Sequence, residues 1–276
     1  MADINPYESP QAPEPATTHS SPKRAEEKFH PLMFWTRTVQ GLLGVCAALI
    51  AIVLLLACIT LGPSVTILNS KSKMQSMERS TGKRQLNRQE REEYRGYANA
   101  LEQNSRKLSD PLAGIVISSF LLIVASLVGG LAFIAWQYLA YLNLKSFGIE
   151  KLGYQPAMVL LLSLIPLLNV FICRNVLHEL WQNSALVPGS GKKNIMGTRI
   201  DIWLIATAGS VICNCLLMLL SSIPITDSPT ALMRFGLLFI GHTSALIATS
   251  YLILIVGAIG TAQSAKHLEN QKAVAG

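Results

Sequence analysis

The hydrophobic and polar positions of this chain fall into long blocks rather than short alternations. From Val39 to Leu61 there is no charged residue, and the run exceeds the roughly 20 apolar residues that cross a hydrocarbon core. A second uncharged block, Leu112 to Leu142, would as one helix be about 45 Å long at 1.5 Å per residue and must tilt or project. A third, Ala157 to Cys173, is short and interrupted by Pro166, so it either crosses as a broken helix or re-enters the bilayer. Two further blocks, Ile202 to Ile223 and Leu237 to Ala262, are each long enough to span. The pattern predicts an all-α, polytopic integral membrane bundle of four to five transmembrane helices, one of them Pro-broken or re-entrant.

Polar segments separate the blocks. Residues 1–37 are rich in Pro, Ser, Thr and Glu and predict a disordered tail before a first span at 38–63. Residues 64–111 carry ten basic and six acidic side chains, yet Tyr94, Tyr97, Ala98, Leu101 and Leu108 recur at helical spacing. That predicts a polar helical loop between the first two spans, either extending them or offering its stripe, within 84–108, to a protein partner. The remainder, 112–264, reads as one membrane domain, closed by a polar tail at 265–276. Within it, Ile172, Val176, Leu177, Leu180 and Trp181 share one face of a helix over 172–184. Arg174, Asn175, His178, Glu179 and Gln182 share the other, as on an amphipathic helix lying in the interface or meeting a partner. Trp136, Tyr138 and Tyr141 sit where an interfacial aromatic belt would.

Composition narrows the class further. The 276 residues are 50% hydrophobic and 14% charged, with a mean hydropathy of +0.38, which suits the bilayer as solvent and partner. The net charge of +7 is spread over loops and tails, giving no groove-reading surface for nucleic acid and a better match to phospholipid. The five cysteines lie in or at the end of apolar runs and imply no disulfide framework. Leu55-Leu56-Ala57-Cys58 is like a lipoprotein cleavage box, but the long tail before it and the later spans favour an uncleaved anchor.

Chemistry-bearing motifs are incomplete. His178-Glu179 lacks a second His at 182, which is Gln, so it is not a zinc-protease helix. Gly189-Ser190-Gly191-Lys192-Lys193 lacks the earlier Gly and following hydroxyl of a phosphate loop. No Gly-x-Ser-x-Gly turn or intramembrane Asp pair is present. No enzyme, metal site or cofactor is expected. The polar positions with a reason to be where they are include Asn169, placed to bond carbonyls freed at Pro166 or to cap the next helix. Asn214 and His242 lie inside spans, where a polar group is costly unless it faces other helices; they could pair with each other or line a solute path.

The segment Trp136-Gln137-Tyr138-Leu139-Ala140-Tyr141-Leu142-Asn143, with Gly148, Pro156, Pro166-Leu167-Leu168-Asn169 and Glu179-Leu180-Trp181-Gln182-Asn183-Ser184, resembles an uncharacterised bacterial membrane family, domain of unknown function 4328. The likeness is specific over about fifty residues and extends as an order of hydrophobic segments from about 35 to 265. Gln137 or Tyr138 stands where members commonly carry Arg, and Cys173 where they carry a second Pro. The resemblance implies a multi-pass protein of the bacterial inner membrane. It adds Trp136, Asn143, Pro156, Pro166, Glu179 and Trp181 to the candidate residues, and supplies no activity. It also implies a cytoplasmic N-terminus, whereas five spanning segments would give an outside N-terminus by the positive-inside rule. A re-entrant third segment reconciles cytoplasmic termini with a polar loop on the other side. A contact, scaffold or envelope-sensing role is the first functional expectation, and a small-solute transporter or channel component the second.

Overall fold

A computed structural model describes residues 29–81, 86–149, 151–163, 165–184, 192–223 and 228–275. Six helices follow in order: α1 Leu32–Thr81, α2 Arg88–Ser146, α3 Pro156–Ser163, α4 Pro166–Ser184, α5 Lys192–Ser221 and α6 Ser228–Ala275. There is no strand among the described residues. Four helices, α1, α2, α5 and α6, are long and apolar enough to cross a membrane. Their outer faces expose Val116, Phe120, Leu127, Ile205, Met218 and Leu219. An apolar surface so extensive is stable only against lipid, and the protein is a polytopic helical membrane bundle.

The first two spans do not stop at the polar loop. α1 has 50 residues and α2 has 59, about 75 and 89 Å at the helical rise. Leucine, methionine, glutamate, lysine and arginine in 64–110 all favour helix, so nothing but Pro63 and Pro111 interrupts either run. The polar segment is therefore two helical extensions that pack as an antiparallel hairpin. Asn87 starts the second: its side chain accepts from Glu90 N while the Glu90 carboxylate accepts from Asn87 N, a reciprocal cap at 2.8 Å each way. One pairing register runs from Thr36 opposite Trp136, through Leu42 opposite Gly129 and Leu56 opposite Gly114, to Lys73 over Tyr97 and Glu78 bonded to Tyr94. Along α1 the buried positions Leu32, Thr36, Val39, Leu43, Cys46, Ile50, Val53, Ala57 and Thr60 step alternately by four and three, the 3.5-residue repeat of a left-handed supercoil.

α6 lies along the other side of α1 and also pairs with α5. Gly257 and Gly260 allow the approach: a Cβ on Gly260 would come within 3.1 Å of Thr36 Cβ, and Gln40 Nε2 reaches Ile253 O at 3.0 Å. Between α2 and α5 the chain makes the short helices α3 and α4. Pro156 and Pro166 are their first residues, where a missing N–H costs nothing. The break precedes Pro166 rather than forming a kink around it. α2 ends at the Phe147 cap, and Gly148 supplies the left-handed turn at φ 80°.

Several expectations change. The apolar face of α4 does not lie on lipid. Cys173, Val176, Leu177 and Leu180 are buried in the core shared with α2, α5 and α6, because folding against the bundle hides them more completely than an interface would. Trp136 and Tyr141 are fully buried rather than forming an aromatic belt. The 94–108 stripe faces α1, with Leu108 and Ser70 buried. The N-terminal tail up to residue 28 and the linker residues Pro188 to Gly191 lie outside the described residues, as do the side chains of Pro166 and Asn169.

Candidate functional site

Several residues that carry the family resemblance, Trp136, Tyr141, Asn143, Glu179 and Ser184, come together at one end of the bundle, where α1 begins, α2 and α4 end and α6 passes through its later turns. Asn143, fully buried near the end of α2, treats the backbone ahead of α1 as a strand would: His30 N donates to Asn143 Oδ1 at 2.9 Å and Asn143 Nδ2 donates to His30 O at 2.9 Å. The same amide reaches Gln263 Oε1 on α6 at 3.3 Å. Gln263 Nε2 in turn donates to Ala140 O at 3.1 Å and to Ser184 Oγ at 3.0 Å. A buried amide is costly unless its donors and acceptor are met, and these two amides answer each other's needs while joining α1, α2, α4 and α6. We call this network the clasp.

Three neighbours extend it. Trp136 Nε1 donates to Thr36 Oγ1 at 3.0 Å, and its ring stacks on Phe133 with centroids 5.8 Å apart. On α4, the Glu179 carboxylate accepts from the Tyr141 hydroxyl and, at 2.6 Å, from Gly153 N, pinning the loop before α3 to two helices. Lys266 Nζ donates to Asn183 O at 2.8 Å and lies over the Phe147 ring; burial pulls its ammonium below the ordinary lysine pKa. On the polar side of α4, Arg174 pairs with Asp201 of α5 at 2.8 Å, while His178 Nε2 stands 3.7 Å from the same oxygen.

The positions that depart from the resemblance meet as well. Gln137 Nε2 lies 3.4 Å from Cys173 Sγ, and Ser163 Oγ donates to Gln137 Oε1 at 3.3 Å. An arginine at 137 would bring a charge into this dry, three-helix contact; the neutral amide fits the thiol.

Asn214 and His242 do not bond each other. Asn214 Nδ2 donates to Ser210 O at 2.8 Å, and His242 Nδ1 contacts Leu238 O at 2.9 Å, each on its own helix. Both nevertheless line one hollow of about 370 Å³ between the four long helices, together with Cys46, Ser126 and Thr249. It adjoins a second of about 310 Å³ that shares Phe133, Ala245, Thr249 and Leu252 and reaches Cys173 and Trp203. Asn169 is in the first turns of α4, whose first residue is Pro166, so it does not take the position that caps that helix. Trp181 packs against the core with its Nε1 buried and unpartnered. Pro156 is buried at the start of α3. Among the described residues no group of three or more His, Cys, Asp or Glu could hold a metal.

Thr36, Gln263 and His30 were missed by sequence reasoning. Gln263 lies one residue past the last apolar block, at the edge of the membrane domain; only its helical register with Gly260, Val256 and Leu252 could have marked it as inward-facing.

The family described as Domain of unknown function (DUF4328) matches residues 98–264. The chain belongs to this family. The DUF4328 region begins inside α2 and ends one residue beyond Gln263, so it takes in Trp136, Asn143, Glu179 and Gln263 while α1 lies outside it. No curated protein and no solved structure is similar enough to match the chain.

Proposed function

We propose that this DUF4328 protein acts by contact: a membrane bundle that holds a two-helix stalk out of the bilayer for another protein to touch. The observation that carries the reading is the unbroken continuation of α1 and α2 past Pro63 and Pro111 in one register. A polar loop needed only to connect two spans would be short. Here the chain keeps a structured hairpin of polar and charged, outward-facing side chains, including Gln89, Glu93, Arg95 and Gln103. The clasp at the opposite end suits the same role, since it fixes the helices from which the stalk rises. We place the protein in the bacterial inner membrane with both termini cytoplasmic and the stalk on the far side, following the family likeness and an even number of span-length helices.

Photo-reactive residues at Gln89, Glu93 and Gln103 test this in cells, with Val116 and Leu127 as lipid-facing controls. Discrete protein adducts from the stalk positions alone are the expected result. Adducts of the same kind from the controls, or none from the stalk, sink the reading.

A second reading, a small-solute pathway, draws on the adjoining hollows lined by Asn214, His242, Ser126 and Thr249. Polar groups within a span commonly mark solute or proton routes. Proteoliposome flux that falls on His242→Ala and Asn214→Ala would favour it. Equal flux in wild type and both variants would remove it.

A further inference from the structure

At the end of the bundle away from the clasp, a third hollow of about 450 Å³ opens between the base of the stalk, the last turns of α5 and the first turns of α6. Ile67 and Leu68 follow Pro63 on α1, Leu108 precedes Pro111 on α2, and Leu217, Phe235 and Leu238 come from α5 and α6. Its size is that of a small-molecule site, roughly 300–1,000 Å³, and every wall residue is apolar except Ser64 and Arg234. Arg234 Nη2 donates to the Leu220 carbonyl in the last turn of α5 and to the Ile223 carbonyl just past its end, while Nε is buried without a partner. Among the described residues no carboxylate pairs with this guanidinium. A cation at the edge of the apolar region with no described carboxylate beside it suits an anion, and the apolar walls next to it suit a hydrocarbon chain.

We propose that this hollow is a binding site for one anionic glycerophospholipid, with a single acyl chain between the stalk base and α6 and the headgroup phosphate on Arg234. The level of the site decides the occupant. Pro63 and Pro111 mark where the uncharged blocks of α1 and α2 meet the polar stalk, so the hollow straddles the boundary at which phospholipids carry their phosphates. A bilayer lipid meets both requirements without leaving its own layer. Arginine presents a fork of N–H donors suited to phosphate oxygens.

The test is native mass spectrometry of the full-length protein released from bilayers of equimolar phosphatidylglycerol and phosphatidylcholine with identical chains, with oleic acid added at the same concentration. Wild type is expected to retain one phosphatidylglycerol in at least about fivefold preference over phosphatidylcholine, a difference of about 1 kcal/mol. Arg234→Gln should abolish the preference, Arg234→Lys should keep part of it, and Ala231→Trp, which fills the hollow, should lose the retained lipid whatever its headgroup. Equal retention of the two phospholipids by wild type overturns the proposal. So does retention of oleic acid instead, a lipid-free dimer, or retention unchanged in Ala231→Trp. Should Arg234→Gln fail to fold, Arg234→Lys and Ala231→Trp decide the matter by the same criteria.

Discussion

Asn143 shows how much one amide can hold. Its two bonds to the His30 backbone and its contact with Gln263 leave no unmet donor on its side chain, so truncation strands polar groups on two other segments. Asn143→Ala is expected to lower stability by about 2–3 kcal/mol, the cost of orphaned buried polar groups, measured by unfolding in mixed micelles. Glu179→Gln should cost less, because the amide oxygen still accepts from Gly153 N or the Tyr141 hydroxyl. At Gly260 the constraint is space rather than bonding. Thr36 fills the place a side chain would need, and Gly260→Val should destabilise by about 1–3 kcal/mol through overpacking, read in the same unfolding assay. A smaller loss for Gly260→Val than for Gly130→Val, which has open space at its Cβ, would contradict this. The sequence made Asn143, Glu179 and Trp136 visible through the motif that contains them. It concealed their partners, because Thr36, His30 and Gln263 are spread over more than two hundred positions and no local pattern links them.

At the level of the elements, the block pattern located all four span-length helices, since length and hydropathy alone define them. It did not reveal that α1 and α2 continue beyond the membrane, although the helix-forming residues of 64–110 were legible and the extension was among the readings they allowed. The stripe at 94–108 was recognised as helical; its partner, the Ser70, Met74 and Met77 side of α1, is too polar and too flexible in composition to announce itself. Within this pair the Tyr94 hydroxyl donates to Glu78 Oε1 at 3.0 Å, and that bond, followed by the charge of the carboxylate, raises the tyrosine's pKa. Leu101→Asp places a charge in the seam and is expected to open the stalk to trypsin at Arg91 and Arg95 while the melting temperature of the bundle stays within a few degrees. Co-loss of both would mean that stalk and bundle fold as one unit. The amphipathic reading of α4 had the right faces and the wrong neighbour: periodicity tells which side is apolar, and only the tertiary fold tells whether lipid or protein covers it.

For the molecule as a whole, α1 is the element on which the family region depends, though it lies outside the match. It supplies Thr36 to Trp136 and Gly260 and Gln40 to α6. Residues 86–276 expressed alone are therefore expected to aggregate or degrade, and co-expression of 1–85 as a separate chain should restore folded protein, assayed by monodispersity on size exclusion. Cysteine reporters on a background lacking the native cysteines test the arrangement in the membrane. Ser80 should label from one face and Ser146 and Lys272 from the other; labelling of Ser146 and Lys272 from opposite faces would require a fifth crossing within α3 and α4.

The shared register of α1 and α2 also makes the hairpin a ruler. From Gly62 to Thr81 the helix rises about 30 Å, and because both arms are in step the distance between bilayer and tip is set by residue count alone. Any partner that meets the tip must present its surface at that height. Adding seven residues to each arm within the polar segment, after Ser72 and before Ala98, would move the tip outward by about 10 Å with the seam intact, whereas seven in one arm would put every contact beyond the insertion out of step. Binding that survives at the old height and fails at the new one would make length itself the specificity of this protein.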